Sequence, residues 1–510
     1  MHGLRGKIKL VLSNVYMLKR IRIILAIIFF SLITLLFLDF TGTIQTYFGW
    51  MAKLQFVPAI LALNIGVIIV LMVLTLVLGR VYCSVICPLG ILQDIFARFG
   101  KRTKKNRYSY SPEKRIVRIV VLVLFIALFI IPGTSIIANL IEPYSAYGRI
   151  ASTLLSPIYA GVNNLLANIA ERADSYTFYH TDIWLKGVAT LIVAIVTLGV
   201  IGFLAWRNGR TWCNTICPVG TILGYLSKFS LFKVMIDTSK CNSCGLCARN
   251  CKAACINSKE HKIDHSRCVV CMDCIEKCKQ GALQYVPRYS KVNRADHKES
   301  IDESRRKFLT VSSMVVTGAT IEAKAKKVDG GLTVLQDKQI PNREVSPKPA
   351  GSLSIKHFSQ HCTACQLCVS ACPNDVLRPS TNIEHLMQPE MSFERGYCRP
   401  ECNRCSEVCP TGAIQPISIE EKSAVQIGRA VILKENCVVE TDRVNCGNCA
   451  RHCPVGAIQM VLKNPNDPEG LKIPIVNESR CIGCGACENL CPSRPLSAIY
   501  VEGYEVHHIE

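Results

Sequence analysis

Six tight quartets of cysteine constrain this chain more than any other feature. The first two are Cys241, Cys244, Cys247, Cys251 and Cys268, Cys271, Cys274, Cys278. In a short secreted chain such density would mean disulfides. In 510 residues with 29 cysteines gathered into clusters, it points to metal. The x2, x2, x3 spacing is that of the bacterial two-cluster ferredoxin run, in which three thiolates converge on one cubane and the fourth crosses to the other. Cys241, Cys244, Cys247 and Cys278 are expected on one cluster, and Cys268, Cys271, Cys274 and Cys251 on the second. Zinc on four cysteines is the bland alternative, and the repeated spacing argues against it. Lys252 and Lys279 stand where proline usually follows the fourth cysteine, and Cys255 is an extra thiol able to replace Cys251 as the crossing ligand.

Four further quartets fill the C-terminal third. They are Cys362, Cys365, Cys368, Cys372; Cys398, Cys402, Cys405, Cys409; Cys437, Cys446, Cys449, Cys453; and Cys481, Cys484, Cys487, Cys491. Each ends in Cys-Pro, at Pro373, Pro410, Pro454 and Pro492, and the second and third continue into Gly-Ala-Ile, which predicts a turn and then a strand. The six quartets occupy 24 cysteines, so six [4Fe-4S] clusters are expected.

Apolar residues make up 49% of the chain and are concentrated in four runs: Ile23–Phe40, Phe56–Gly79, Arg118–Ile137 and Gly187–Trp206. About 20 apolar residues cross a bilayer as a helix, so four transmembrane helices are predicted, the third interrupted by Pro132 and Gly133. Buried core helices are the alternative; the length of the runs and their few charges disfavour it. Residues 1–22 hold six basic residues and no acid, and Arg80 to Arg118 holds ten basic residues against Asp94 and Glu113. The loops 41–55 and 138–186 have no such excess, which puts both ends of the four-span unit in the cytoplasm of a bacterial inner membrane. That topology signal absorbs most of the net charge of +21 and leaves no case for nucleic acid. The basic N-terminus lacks a small-residue cleavage site and does not read as a cleavable signal. The spans contain no histidine for a b-type haem, and the chain has no C-x-x-C-H, G-x-G-x-x-G or P-loop.

The second and fourth spans end in the same pattern, G-R-x-[aromatic]-C-x3-C-P-x-G, once from Gly79 to Gly90 and once from Gly209 to Gly220. Paired cysteines at i and i+4 share a helix face, and Cys83, Cys87, Cys213 and Cys217 together offer four sulfurs. A cluster, a thiol redox pair and a purely structural role are all compatible with the pattern.

Between the two cysteine-rich regions lies Ser304-Arg305-Arg306-Lys307-Phe308-Leu309-Thr310, followed by the apolar Val311–Ile321, a candidate fifth membrane segment that is short for a span. It has the form of a twin-arginine export signal, a route that carries folded domains and so suits a metal-loaded one. Export is favoured over a basic linker, and sets residues beyond the polar linker 322–352 in the periplasm. Thr317-Gly318-Ala319-Thr320 is similar to a flavin attachment site on threonine, but the chain has no room for a flavin domain.

Four spans, two C-x3-C-P motifs and a two-cluster run make the first 298 residues resemble the NapH-type membrane ferredoxins, with the C-x3-C-P feature shared by NosR-type and CcoG-type proteins. The twin-arginine motif and four quartets of 304–510 resemble the NapG/MauM-type exported ferredoxins, so the whole resembles a fusion of the two. The expected architecture is multi-domain: an α-helical membrane domain (1–234), a cytoplasmic α+β two-cluster ferredoxin-like domain (235–298), a signal and linker (299–352), and a periplasmic α+β four-cluster domain (353–510). The resemblance also implies that the first C-terminal quartet interlocks with the fourth, Cys491 joining Cys362 and Cys372 joining Cys481, and the second with the third, Cys453 joining Cys398 and Cys409 joining Cys437. It implies quinol oxidation in the membrane and delivery of electrons to a periplasmic reductase or cytochrome in anaerobic respiration. Tyr82, Trp212, Arg80 and Arg210 sit near the depth at which a quinol could react, which is an argument from position alone. A maturation factor that services a partner metalloenzyme is the rival expectation, from the CcoG likeness.

Overall fold

A computed structural model describes residues 2–103, 108–131, 135–289 and 336–509. The twin-arginine motif, Val311–Ile321, Pro132 and Gly133 lie outside the described residues. The first apolar run lies in α1 (His2–Leu38). The second is cut into α2 (Phe56–Leu61) and α3 (Ile65–Leu78) by a turn in which Leu63 takes a φ of 51° and Asn64 caps α3 by accepting from the Val67 amide at 3.3 Å. Next come α4 (Pro88–Thr103), α5 (Arg115–Ile130), α6 (Ser135–Ile141), α7 (Pro143–Ile150), α8 (Val188–Asn208) and α9 (Pro218–Ser227).

Of the four predicted spans, two are long and apolar enough to cross a membrane among the described residues: Met17–Leu38 within α1, and α8. The turn at 62–64 leaves α3 only 14 residues, and α5 stops after 16. All four helices nonetheless expose apolar rows on one side, such as Ile24 and Ile28, Ile69 and Val73, Val120 and Leu124, Ile195 and Phe203. Their other sides pack on a shared core that includes Ile33, Phe37, Leu71, Phe125 and Ile201.

The first cysteine-rich body is closed by β1 (Phe232–Ile236) and β2 (Leu283–Pro287), antiparallel from Phe232↔Pro287 to Ile236↔Leu283. Val234, Ile256, Val270, Ile275 and Leu283 fill it, with buried cysteines among them. In the C-terminal region, β3 (Leu377–Pro379) pairs with β4 (Pro389–Met391). Further on, β5 (Val425–Ile432) pairs with the last strand, β8 (Ile499–Ile509), and β6 (Ile458–Leu462) forms a hairpin with β7 (Lys472–Val476). Each sheet has two strands. The fold is thus multi-domain, with two α+β cysteine-rich regions joined by helices.

The two regions sit at opposite ends of α1. Lys19 of α1 pairs with Asp273 at 2.7 Å and also with Glu276, both in the first body. At the other end Phe37 packs on Tyr144 and Gly148, and Gly148 lies against the Cys365 carbonyl of the C-terminal region. Asn139 Nδ2 donates to the Cys362 carbonyl at 3.0 Å beside it. Lys19 and Phe37 are separated by about 27 Å of helix at 1.5 Å per residue, close to the thickness of a bilayer's hydrocarbon core.

Candidate metal centres

In four of the six quartets a residue of positive φ, Gly245, Met272, Gln366 or Gly485, turns the chain between the second and third cysteines into a one-turn helix; in the other two Asn403 and Gly447 precede that helix at negative φ. In the C-terminal quartets the fourth cysteine follows in extended conformation, because the residue before proline is kept out of the helical region; Cys372, Cys409 and Cys491 have ψ near 111°, 115° and 130°. Where Gly-Ala follows, Gly412 (φ 73°) and Gly456 (φ 60°) curl the backbone back towards the sulfur. The Ile414 and Ala457 amides then donate to Cys409 Sγ at 3.4 Å and Cys453 Sγ at 3.2 Å.

In the first body Cys241, Cys244, Cys247 and Cys278 line one cavity. Cys251 is the electrostatic neighbour of Cys268, Cys271 and Cys274. These are the two groupings that the spacing predicts. Cys255 lies at this second group as a fifth thiol, 3.5 Å from Cys251 Sγ and in hydrogen-bond contact with Cys268.

The C-terminal quartets combine differently from the expectation. Cys362, Cys365 and Cys368 share a cavity with Cys409, and Cys398, Cys402 and Cys405 share one with Cys372. Cys481, Cys484 and Cys487 line a cavity with Cys453, while Cys491 neighbours Cys449. First therefore interlocks with second, and third with fourth. The reason is local: the β3–β4 hairpin turns the second quartet back onto the first, and the β6–β7 hairpin turns the fourth onto the third. The two pairs meet where the Cys398 amide donates to the Cys484 carbonyl at 2.9 Å.

These sites suit an iron–sulfur cluster. Burial pushes the Cys271, Cys365 and Cys484 thiols up to about 12, so as bare thiolates they would be costly and a cationic metal core is what offsets them. Among the described residues no three His, Cys, Asp or Glu side chains close on a single ion.

The C-x3-C-P copies do not put their cysteines on one helix face. Cys83 and Cys213 lie in the short helices Tyr82–Val85 and Thr211–Thr215, and Pro88 and Pro218 then start α4 and α9. Cys217 is the N-cap of α9, accepting from the Gly220 amide at 3.3 Å. The helix breaks because proline keeps the preceding cysteine extended. The two copies face each other, and all four cysteines are 4% exposed.

Every fixed residue of the repeat has a place in this arrangement. Gly79 and Gly209 turn the chain at φ 77° and 71°. Arg80 Nη2 donates to the Cys213 carbonyl at 3.2 Å, and Arg210 Nη1 reciprocates to the Cys83 carbonyl at 2.7 Å. Gly90 and Gly220 make room for the crossing arginines: a Cβ on either would come within 2.7 Å of Arg210 or 2.9 Å of Arg80. The aromatic position differs between copies. Tyr82 donates to Gln55 Oε1 at 3.0 Å, whereas Trp212 Nε1 has no partner among the described residues.

The first body is seated on these copies. Arg80 donates to the Ser266 carbonyl at 2.9 Å, Asn214 Nδ2 to the Ala253 carbonyl at 3.1 Å, and the Arg210 amide to the Lys252 carbonyl at 2.8 Å. Lys252 pairs with Asp94 at 2.8 Å, and Asp94 with Arg210 at 2.7 Å. On the far side Tyr82 has Cys87 and Glu142 as electrostatic neighbours, and Glu142 in turn neighbours Cys365. Sequence reasoning missed Gln93, Asp94, Glu142 and Arg149. Only Asp94 carried a signal, as one of two acids in a basic loop.

Comparison with known proteins agrees with the C-terminal thiol groupings. A 4Fe-4S binding domain family matches residues 60–107 and 187–236, the two stretches that carry the C-x3-C-P motifs. A 4Fe-4S dicluster domain family matches 361–413 and 442–494, one match for each interlocked pair. The chain thus binds [4Fe-4S] clusters. No solved structure matches it. The methylamine utilization ferredoxin-type protein MauM of Methylobacillus flagellatus is 32% identical over 168 residues, 32% of this chain and 70% of that protein. The ferredoxin-type protein NapG of Haemophilus influenzae is 30% identical over 209 residues, 38% of this chain and 70% of NapG. NapF of Escherichia coli K12 is 28% identical over 158 residues, 31% of this chain and 87% of NapF. With two interlocked quartet pairs and this degree of identity over most of MauM and NapG, the chain belongs to the NapG/MauM family of ferredoxin-type proteins.

Proposed function

We propose that this ferredoxin-type electron-transfer protein is anchored in the bacterial inner membrane, takes electrons from the quinone pool and passes them to a periplasmic reductase or cytochrome. The N-terminal half acts as a NapH-type unit, and the six quartets hold six [4Fe-4S] clusters. The C-terminal domain reaches the periplasm through the twin-arginine export machinery. The observation that carries the proposal is the separation of the two cysteine-rich bodies by about 27 Å of apolar helix, with the C-x3-C-P cysteines and Glu142 in the gap between them. The exposed apolar rows on α1, α3, α5 and α8 support lipid around that gap.

Oxidising a quinol releases two electrons and two protons, and [4Fe-4S] clusters, when bound, pass single electrons. The chain's own residues set the conditions for that passage. Apolar walls shield the buried thiols from water, backbone amides donate to sulfurs such as those of Cys409 and Cys453, and buried cations beside the C-x3-C-P sulfurs favour added negative charge. The Cys398 amide bonded to the Cys484 carbonyl holds the two C-terminal cluster pairs together.

Anaerobic reduction of the purified full-length protein by a quinol analogue, followed by low-temperature EPR, tests the proposal. Reduced cluster signals from both bodies are expected. A protein that stays oxidised with quinol but reduces with dithionite would refute the quinone assignment, and residue 510 on the cytoplasmic side would refute export.

A further inference from the structure

The two C-x3-C-P copies bury more positive charge than carboxylates among the described residues pair with. Arg80 is fully buried, and its partners are Asn214 Oδ1 at 2.9 Å, the Ser266 and Cys213 carbonyls, and Cys83 Sγ at 3.7 Å. None is a carboxylate, and its Nε has no partner among the described residues. Arg210, also fully buried, shares Asp94 with Lys252 and Arg22, and its Nη2 is unpartnered. Asp94 is therefore shared by three cations, of which Lys252 also reaches Asp273 at 3.6 Å, while Arg80 is left facing sulfur. A buried charge without a counter-charge costs several kcal/mol.

The groups that could supply the missing negative charge are the four cysteines. Neutral thiols or disulfides would leave Arg80 uncompensated. The polar groups around the sulfurs point the same way, since they are donors: Gln93 Nε2 to Cys213 Sγ at 3.2 Å, the Gly220 amide to Cys217 Sγ at 3.3 Å, and Arg210 Nη1 to Cys213 Sγ at 3.9 Å. The four sulfurs gather across the two copies, Cys217 having Cys213, Cys87 and Cys83 as electrostatic neighbours, and four thiolates are the ligand set of a [4Fe-4S] cluster.

We infer that Cys83, Cys87, Cys213 and Cys217 hold a seventh, anionic [4Fe-4S] centre at the junction of the two C-x3-C-P copies, with Arg80, Arg210 and Gln93 as positioning residues that balance its charge. The inference rests on the electron-transfer reading for its purpose, not for its existence. The centre occupies the gap in the path. Arg80 touches Ser266, two residues before Cys268 of the first body, and Tyr82 and Glu142 lie between Cys87 and Cys365 of the C-terminal domain. One electron enters from one neighbouring centre and leaves to the other, so no further reactant is needed.

Iron counting and EPR-monitored redox titration of the anaerobically purified full-length chain test it. About 28 irons per chain are expected, four more than six cubanes supply. Cys83→Ser with Cys217→Ser should remove about four irons and one EPR component and leave the others. Gln93→Leu should keep the iron and lower the potential of that one component, because it removes a donor to sulfur. A parent with about 24 irons, or serine variants with the parent's iron and spectrum, would overturn the inference. If the serine variants fail to fold, unchanged potentials in Gln93→Leu would overturn it as well. A protein that shows seven components yet is not reduced by quinol upholds this centre and counts only against the quinone assignment.

Discussion

At the residue scale, the departures from the ferredoxin pattern are where this chain does something of its own. Proline usually follows the fourth cysteine of a quartet, yet position 252 is lysine. Its ammonium reaches Asp94 at 2.8 Å and Asp273 at 3.6 Å, and its carbonyl accepts from the Arg210 amide. Burial opposes ionisation of Asp94, but Arg210 and Lys252 together hold its carboxyl below the usual range. Lys252 is thus an anchor between the first body and the helices. The departure was visible in the sequence; its partner, 158 positions earlier, was not, because only the fold brings the two together. Lys252→Met should weaken this anchor by about 1–3 kcal/mol, less than a fully orphaned charge because Asp94 keeps Arg210. Lys262→Met removes a pair whose partners are both about 60% exposed and should change stability by less than about 0.5 kcal/mol. Comparing the protease susceptibility of the first body in the two variants checks this. Equal susceptibility would remove Lys252 from its role.

At the element scale, close approach explains the glycines and hairpins. A Cβ on Gly90 would lie 2.3 Å from the Cys83 carbonyl oxygen, and one on Gly220 only 2.1 Å from that of Cys213. Both obstacles are backbone, so Gly90→Ala and Gly220→Ala should each destabilise by about 1–3 kcal/mol through overpacking. Gly199→Ala, with nothing within 4 Å in the middle of α8, should instead be neutral or stabilising by up to about 1 kcal/mol. Thermal melts of the three variants separate the cases. The last strand gives a pH prediction. Burial lowers His507 to about 4, and neither ring nitrogen has a partner among the described residues. The folded state therefore keeps His507 neutral, while the unfolded chain takes a proton near pH 6.5. Stability is complete above pH 6.5, falls as the pH drops from 6.5 to 4, and loses at most about 3–4 kcal/mol from this group at 1.36 kcal/mol per unit. His507→Phe should flatten the urea-midpoint difference between pH 7 and pH 5 relative to the parent; an unchanged difference would rule the residue out. The quartets themselves were legible from spacing. Their C-terminal partners were not, because the β3–β4 and β6–β7 hairpins that bring neighbouring quartets together leave only a weak short-strand signal in the sequence.

At the scale of the whole molecule, function depends on how tightly the two bodies are held to the helices between them. The first body is fixed by ion pairs at Lys19, Lys252 and Asp94. The C-terminal domain is fixed more by shape and carbonyl contacts: Asn139 to Cys362, Arg149 to Ala364 at 3.5 Å, and Lys186 to Val369 at 3.3 Å. Gly148 is the tightest point, since a Cβ there would lie 2.3 Å from the Cys365 carbonyl and 2.9 Å from the Phe37 ring. Carbonyls of the first C-terminal quartet thus press directly on α7, and any side chain at 148 must push that quartet away. Electron transfer weakens steeply with distance, whereas cluster binding depends on thiols within each body. Gly148→Val should therefore leave iron content and the EPR components of both bodies at parent values, yet slow the electron transfer from the first body to the C-terminal domain at least tenfold. Rapid-freeze EPR after reduction from the quinol side measures this directly, because early signals should come from the first body and the C-x3-C-P junction, ahead of the C-terminal domain. If the C-terminal components appear as fast as in the parent, the contact at Cys365 is not the route, and electrons reach the C-terminal domain elsewhere.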